Sequence, residues 1–141
     1  MNDLQKAQAL LKENKSLTCV FVCGEEVKTS ELRGVRPLLE LIGENGSLKG
    51  WSAADKVVGR AAALLYAYLG VDAVFAEVLS KFAEEVFLAH GIAYTYETFT
   101  ESIVNRKGDG PCPMEQATRG ILDPEEGLVA VRKKLKELAG P

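Results

Sequence analysis

The side chains whose types and spacing bear on chemistry are Cys112 with Glu115, Asp55 with Lys56 and Arg60, and the single histidine, His90. Cys112 directly precedes Pro113, a residue suited to the first position of a helix. A helix starting there would set the thiol against free backbone N–H groups, the setting of many reactive cysteines. Glu115, three residues on, reads either as a first-turn helix acid or as a hydrogen-bond acceptor or general base beside that thiol. Cys112 and Glu115 are therefore the candidate catalytic pair. His90 is expected at the far end of a different helix, which argues against a Cys–His couple and favours Cys112 as a pocket-lining or redox-sensitive thiol.

Asp55 follows Ser52 by three residues, the spacing of a capping box, so it reads as a capping acid or as an acceptor for a ligand's donor. Lys56 and Arg60, four apart, either face solvent and pair with acids or neutralise an anion at a helix N-terminus. Gly59 between them would clear space for a ligand or another backbone. Ser80 is most simply a helix N-cap and Lys81 a solvated first-turn residue, with a pocket-facing role as the alternative. Asn105 lies in a glycine-rich loop, where binding residues concentrate. Cys19 and Cys23 fall on one face of a strand and read as buried apolar groups.

The elements that must position these groups follow from periodicity and caps. The central one is a buried helix over 52–69, with Ser52 as N-cap, Gly70 as its left-handed terminator and an apolar run from Ala61 to Leu69. Before it come an amphipathic helix over 3–14, a two-sided buried strand over 17–23, a polar strand near 27–30 paired antiparallel to it, and a short helix from Pro37 to Gly43. After it come a strand over 71–79, a helix from Ser80 to Gly91 and a strand over 92–99, a β-α-β order that requires the two strands to be parallel. A loop over 100–111, a short helix from Pro113 and a final helix capped by Asp123 complete the chain. The fold class is α/β: a three-layer α/β/α sandwich with a mixed sheet, organised as a single domain over residues 1–141.

Bulk properties narrow the function classes. Hydrophobic residues make up 47% and charged residues 26%, the balance of a globular protein. A net charge of −3 without a Lys/Arg run gives no footprint for nucleic acid or a membrane surface. No apolar stretch is long enough to span a bilayer, and the N-terminus lacks the pattern of a signal peptide, so a cytoplasmic location is expected. Three cysteines argue against a disulfide framework.

The segments Asp55–Ala62 and Asn105–Glu115 resemble those of the DUF1893, or TM1506-like, family of uncharacterised proteins, which is placed in the cytidine-deaminase-like fold. The resemblance implies that fold, and its homodimers or larger homo-oligomers. The departures from active zinc deaminases matter as much. Those enzymes carry a His or Cys ligand followed two residues on by Glu, then Pro-Cys-x-x-Cys. Here Asp55-Lys56-Val57 offers an oxygen ligand without the Glu, Val57-Val58-Gly59 offers neither, and Leu79-Ser80-Lys81-Phe82 holds no cysteine. Pro111-Cys112-Pro113-Met114-Glu115 matches half of the second motif but falls one strand too late. No zinc, no other cofactor and no deamination by the usual route are expected. The expected function is binding of a small anionic or nucleoside- or nucleotide-like ligand at the N-terminus of the 52–69 helix, by Asp55, Lys56, Arg60, Ser80, Lys81 and Asn105. The alternatives are a non-catalytic oligomeric interaction module and an enzyme using Cys112.

Overall fold

A computed structural model describes residues 1–104, 108, 110 and 112–140. Its centre is a five-stranded mixed sheet in the order β2-β1-β3-β4-β5, with strands β1 Cys19–Cys23, β2 Glu26–Ser30, β3 Ser52–Val58, β4 Ala73–Ser80 and β5 Ala93–Thr100. β1 runs antiparallel to both β2 and β3, whereas β3, β4 and β5 are parallel. Helix α1 (Asp3–Glu13) covers one face; α2 (Arg36–Gly43), α3 (Arg60–Leu69), α4 (Lys81–His90) and α6 (Pro124–Leu138) cover the other, and the short α5 (Pro113–Ala117) packs on α3 and α6. This is the expected three-layer α/β/α arrangement.

The two faces of β1 separate as the alternation predicts. Cys19 and Phe21 enter the core beneath α3, while Val20 and Val22 join Ala7, Leu11 and Phe75 beneath α1. The expected caps also form. Ser80 Oγ accepts from the Ala83 amide and Asp123 Oδ2 from the Glu126 amide, while Gly70 ends α3 in the left-handed conformation at φ 77°. The parallel pairing of β4 with β5 is as the β-α-β order requires.

One element differs from expectation. The stretch 52–69 is not a single helix: Ser52–Val58 forms the central strand β3, and only Arg60–Leu69 is helical, with Gly59 as its N-cap. Ala53 and Ala54 have helix-forming side chains, yet here they are wholly buried between layers, Ala53 in the core under α3 and Ala54 against α1. A strand covered on both faces shows no alternation, so its small apolar run is indistinguishable in sequence from a buried helix. The consequence is functional. Asp55 is a mid-strand residue rather than a helix cap, and the helix N-terminus moves seven residues on, to Gly59.

Candidate functional site

The parallel strands β3 and β4 deliver their C-terminal ends to the N-termini of α3 and α4, the position at which open α/β sheets bind ligands. A cavity of about 300 Å³ opens there, bounded by Asp55, Lys56, Val57 and Gly59 from β3 and its exit. Thr18 and the Arg33–Val35 loop form one side, the first turn of α3 the floor, and Ile103, Cys112, Met114 and Glu115 the opposite wall. The walls are largely apolar, and the polar groups are few and distinct in charge.

Asp55 is the buried acid of this cavity, 7% exposed. Its Oδ2 accepts the Tyr66 hydroxyl at 2.7 Å from α3, and the Cys19 thiol of β1 lies 3.8 Å from the same oxygen and 3.3 Å from the Tyr66 oxygen. Removal from water pushes the Asp55 carboxyl up from 3.8 to about 7, against the hydrogen bond from Tyr66 and the neighbouring amides of Lys56 and Val57, which favour its ionised form. Burial likewise raises Cys19 and Tyr66 well above their ordinary values, reinforced by the Asp55 charge. Both therefore remain neutral hydrogen-bonding groups behind the carboxyl.

Glu115 is the second buried acid. Its Oε1 accepts from the Arg60 amide, the first of α3, and from Ser80 Oγ at 3.3 Å; its Oε2 accepts from the Ile103 amide at 3.3 Å. The carboxylate thus caps α3 from a distant part of the chain and ties it to the start of α4. A Cβ on Gly59 would lie 2.8 Å from Glu115 Oε1, so the absence of a side chain at Gly59 makes room for the carboxylate rather than for a ligand. Ala61 and Ala62, next in the first helical turn, where amides have no intrahelical acceptor, line the cavity.

Of the sequence-predicted residues, Asp55, Lys56, Cys112 and Glu115 come together at the cavity. Lys56 Nζ donates to the Lys15 carbonyl at 2.7 Å. Arg60 does not take the anion-neutralising role expected of it. Its guanidinium is buried and turned away, donating to the Ile121 carbonyl at 2.8 Å, the Phe82 carbonyl at 3.1 Å and Glu85 at 3.1 Å, so it ties α3 to α4 and to the α6 approach. Ser80 is buried behind Glu115 rather than lining the cavity, and exposed Lys81 pairs loosely with Glu101 at 3.9 Å. Asn105 lies outside the described residues. Glu115 is not free to serve as a general base for Cys112, since three donors already engage it. The helix that Cys112 precedes has only five residues, too short to supply a strong N-terminal field. His90 ends α4, as expected, and its ring contacts the Leu122 carbonyl at 2.7 Å.

Sequence reasoning missed Thr18, Arg33, Cys19 and Tyr66. Arg33 is exposed at the cavity, and among the described residues its side chain makes no ion pair. The Arg33-Gly34 pair in the loop before α2 was its only signal. Tyr66 was hidden in an apolar run, and its role depends on the strand conformation of Asp55. Among the described residues no group of three His, Cys, Asp or Glu side chains could hold a metal ion, and the acid between the α3 and α4 starts is engaged by three donors.

Among the described residues, no helix is long and apolar enough to cross a membrane. A comparison with curated proteins found no match. A crystal structure of a DUF1893 family protein (TM1506) from Thermotoga maritima is similar to this chain at 28% sequence identity and a TM-score of 0.84, covering 95% of this chain and 91% of the other. The family model described as TM1506, a domain of unknown function (DUF1893), matches residues 6–135, and the chain belongs to that family.

Proposed function

We propose that the protein binds a small anionic, nucleoside- or nucleotide-like molecule in the cavity above β3. One observation carries this reading: a cavity of ligand size, about 300 Å³, sets a buried acid, Asp55, among apolar walls with the cations Arg33 and Lys56. An apolar body with one hydrogen-bonding edge and one anionic group matches that distribution. The edge would meet Asp55; the anion would meet Arg33, Lys56 and the Ala61 and Ala62 amides. The order of β1–β2 hairpin, β3, α3, β4, α4 and β5 supports placing the chain in the cytidine-deaminase-like fold, which favours a nucleoside-like ligand. The test is calorimetric titration with nucleosides and their monophosphates. Arg33→Ala is expected to weaken a bound monophosphate about tenfold, roughly 1.4 kcal/mol, while leaving the nucleoside unchanged. Equal weakening of both, or heat from neither in the unmodified protein, would contradict the reading.

A second reading, assembly as a homodimer, is favoured by β5. This eight-residue edge strand has Ala93 and Thr95 to Phe99 exposed, including Tyr96 at 45% and Phe99 at 38%, and carries a single charged residue, Glu97. Natural edge strands are normally blunted by charge, proline or a covering element. The other edge, β2, is shorter and carries Glu26 and Lys28. Antiparallel self-pairing of β5 about Tyr96 would set Thr95 opposite the partner copy's Glu97, without opposing like charges.

A further inference from the structure

On the cavity's inner wall, the Asp55 carboxyl makes no ion pair among the described residues. The groups that face Asp55, or share its cavity, are Cys19 on β1, Tyr66 on α3, Lys56 beside it on β3, Arg33 before α2, and Cys112 and Glu115 at α5. The direct side-chain contacts are an un-ionised thiol and a phenol, joined by the backbone amides of Lys56 and Val57. None of the described cations pairs with it: Lys56 Nζ sits on the Lys15 carbonyl at 2.7 Å, buried Arg60 points to α4, and Arg33, exposed at the cavity's side, makes no ion pair among the described residues. Glu115 on the opposite wall adds negative charge rather than relief. An unpaired carboxylate buried in this way is costly, and the inexpensive state is the neutral acid.

Resting on the ligand-binding reading above, we propose that Asp55 is the proton donor of this site: a neutral carboxylic acid positioned by Tyr66 that selects ligands presenting a basic ring nitrogen beside an N–H, an amidine-type edge. A carboxylic acid offers one donor and one acceptor side by side, the complement of such an edge. On binding, the carboxyl proton moves to the ring nitrogen, and the resulting carboxylate keeps the Tyr66 hydroxyl and accepts from the ligand's N–H. No bond other than O–H breaks and none other than N–H forms. Burial, which brings the carboxyl to about 7, supports a group able to give up that proton near neutrality. Tyr66, acting through Asp55, is a positioning residue; its hydrogen bond stabilises the carboxylate that remains.

The full-length protein, treated with a 2-diazo-2-phenylacetamide and mapped by peptide mass spectrometry, tests this directly. A neutral carboxyl protonates the diazo carbon, dinitrogen leaves, and the carboxylate oxygen takes its place to form an ester; ionised surface carboxylates react far less. Iodoacetamide alkylation of Cys112 on the same sample reports that reagents enter the cavity. The expected result is esterification of Asp55 at pH 6 that falls at least fivefold by pH 8.5. Tyr66→Phe should move that decline to higher pH, a shift that a purely structural role would not produce, and 2-aminopyridine, but not aniline, should protect Asp55. If Cys112 is alkylated while Asp55 stays unlabelled at pH 6, or if labelling is independent of pH, the proton-donor assignment is overturned. If 2-aminopyridine fails to protect a labelled Asp55, the proposed edge recognition is overturned. Labelling with the predicted pH profile alongside no nucleotide binding would leave the acid standing and remove the ligand reading instead.

Discussion

Asp55 concentrates the energetics of the site in one residue, and its titration has a direct consequence for stability. In an unfolded chain its carboxyl titrates near 3.9, as any aspartate does; in the folded protein burial raises it to about 7. The folded state therefore keeps a proton that the unfolded state has released between about pH 4 and pH 7. Its contribution is fully present below pH 4 and is lost as pH rises through 7. Asp55→Asn should remove this pH dependence. Chemical denaturation at pH 5 should find the variant within about 1 kcal/mol of the parent, and at pH 8 should find it more stable by about 1–3 kcal/mol, the gain typical of removing a strained functional group. A variant less stable at both pH values would show the carboxylate to be structural. Nothing in the sequence disclosed this state. Asp55 three residues after Ser52 looks like a cap, and Tyr66, eleven residues away, meets it only because Asp55 lies on a strand and Tyr66 on the helix packed over it.

At the scale of elements, α3 is fixed from both ends and from two sides, and each fixture predicts a cost. Arg60→Ala would leave the Ile121 and Phe82 carbonyls without their donor in a space only 2% exposed, and should destabilise by about 3–5 kcal/mol in urea unfolding. Lysine should not restore it, because a single ammonium cannot serve acceptors met by a planar fork. Gly127 allows α6 to approach α3 closely: an added Cβ would lie 2.8 Å from Leu64 Cδ1 and 2.9 Å from Leu64 Cβ. Gly127→Ala should destabilise by about 1–2 kcal/mol by the same measurement, the overpacking outweighing the helix propensity that alanine adds. The elements were largely legible: the β1–β2 hairpin, the caps at Ser80 and Asp123 and the β4-α4-β5 unit stand where local signals put them. β3 was not, because Ala53 and Ala54 are small to fit between α1 and α3, a tertiary requirement that leaves no local trace. The loss of Arg60 from the predicted anion site follows from the same misreading. Once the helix starts at Gly59, Arg60 sits in its first turn and faces α4 and the 121 carbonyl instead of the cavity.

The whole molecule is a sheet with one end committed to a cavity and one edge left open. Cys112 and Glu115 reach that cavity from far along the chain. The sequence marked them only by a helix start at Pro113 and half of a Pro-Cys-x-x-Cys motif, whereas the capping of α3 by Glu115 depends on how α5 packs against α3. The open edge makes an independent prediction: light scattering after size exclusion should find a dimer, converted to monomer by Tyr96→Lys combined with Thr98→Lys, without loss of helical signal. A monomeric parent would remove the assembly reading and leave the cavity untouched.

Ligand binding in the cavity above β3 depends, on this proposal, on Asp55 and Arg33, and native mass spectrometry of gently purified protein, alone and after addition of a nucleoside monophosphate, measures that dependence. The expected result is a stoichiometric added mass on the parent protein that is lost in Asp55→Asn and reduced in Arg33→Ala while their charge-state distributions remain those of folded chains. An added mass unchanged in both variants, or a folded parent that retains nothing at millimolar nucleotide, would contradict it.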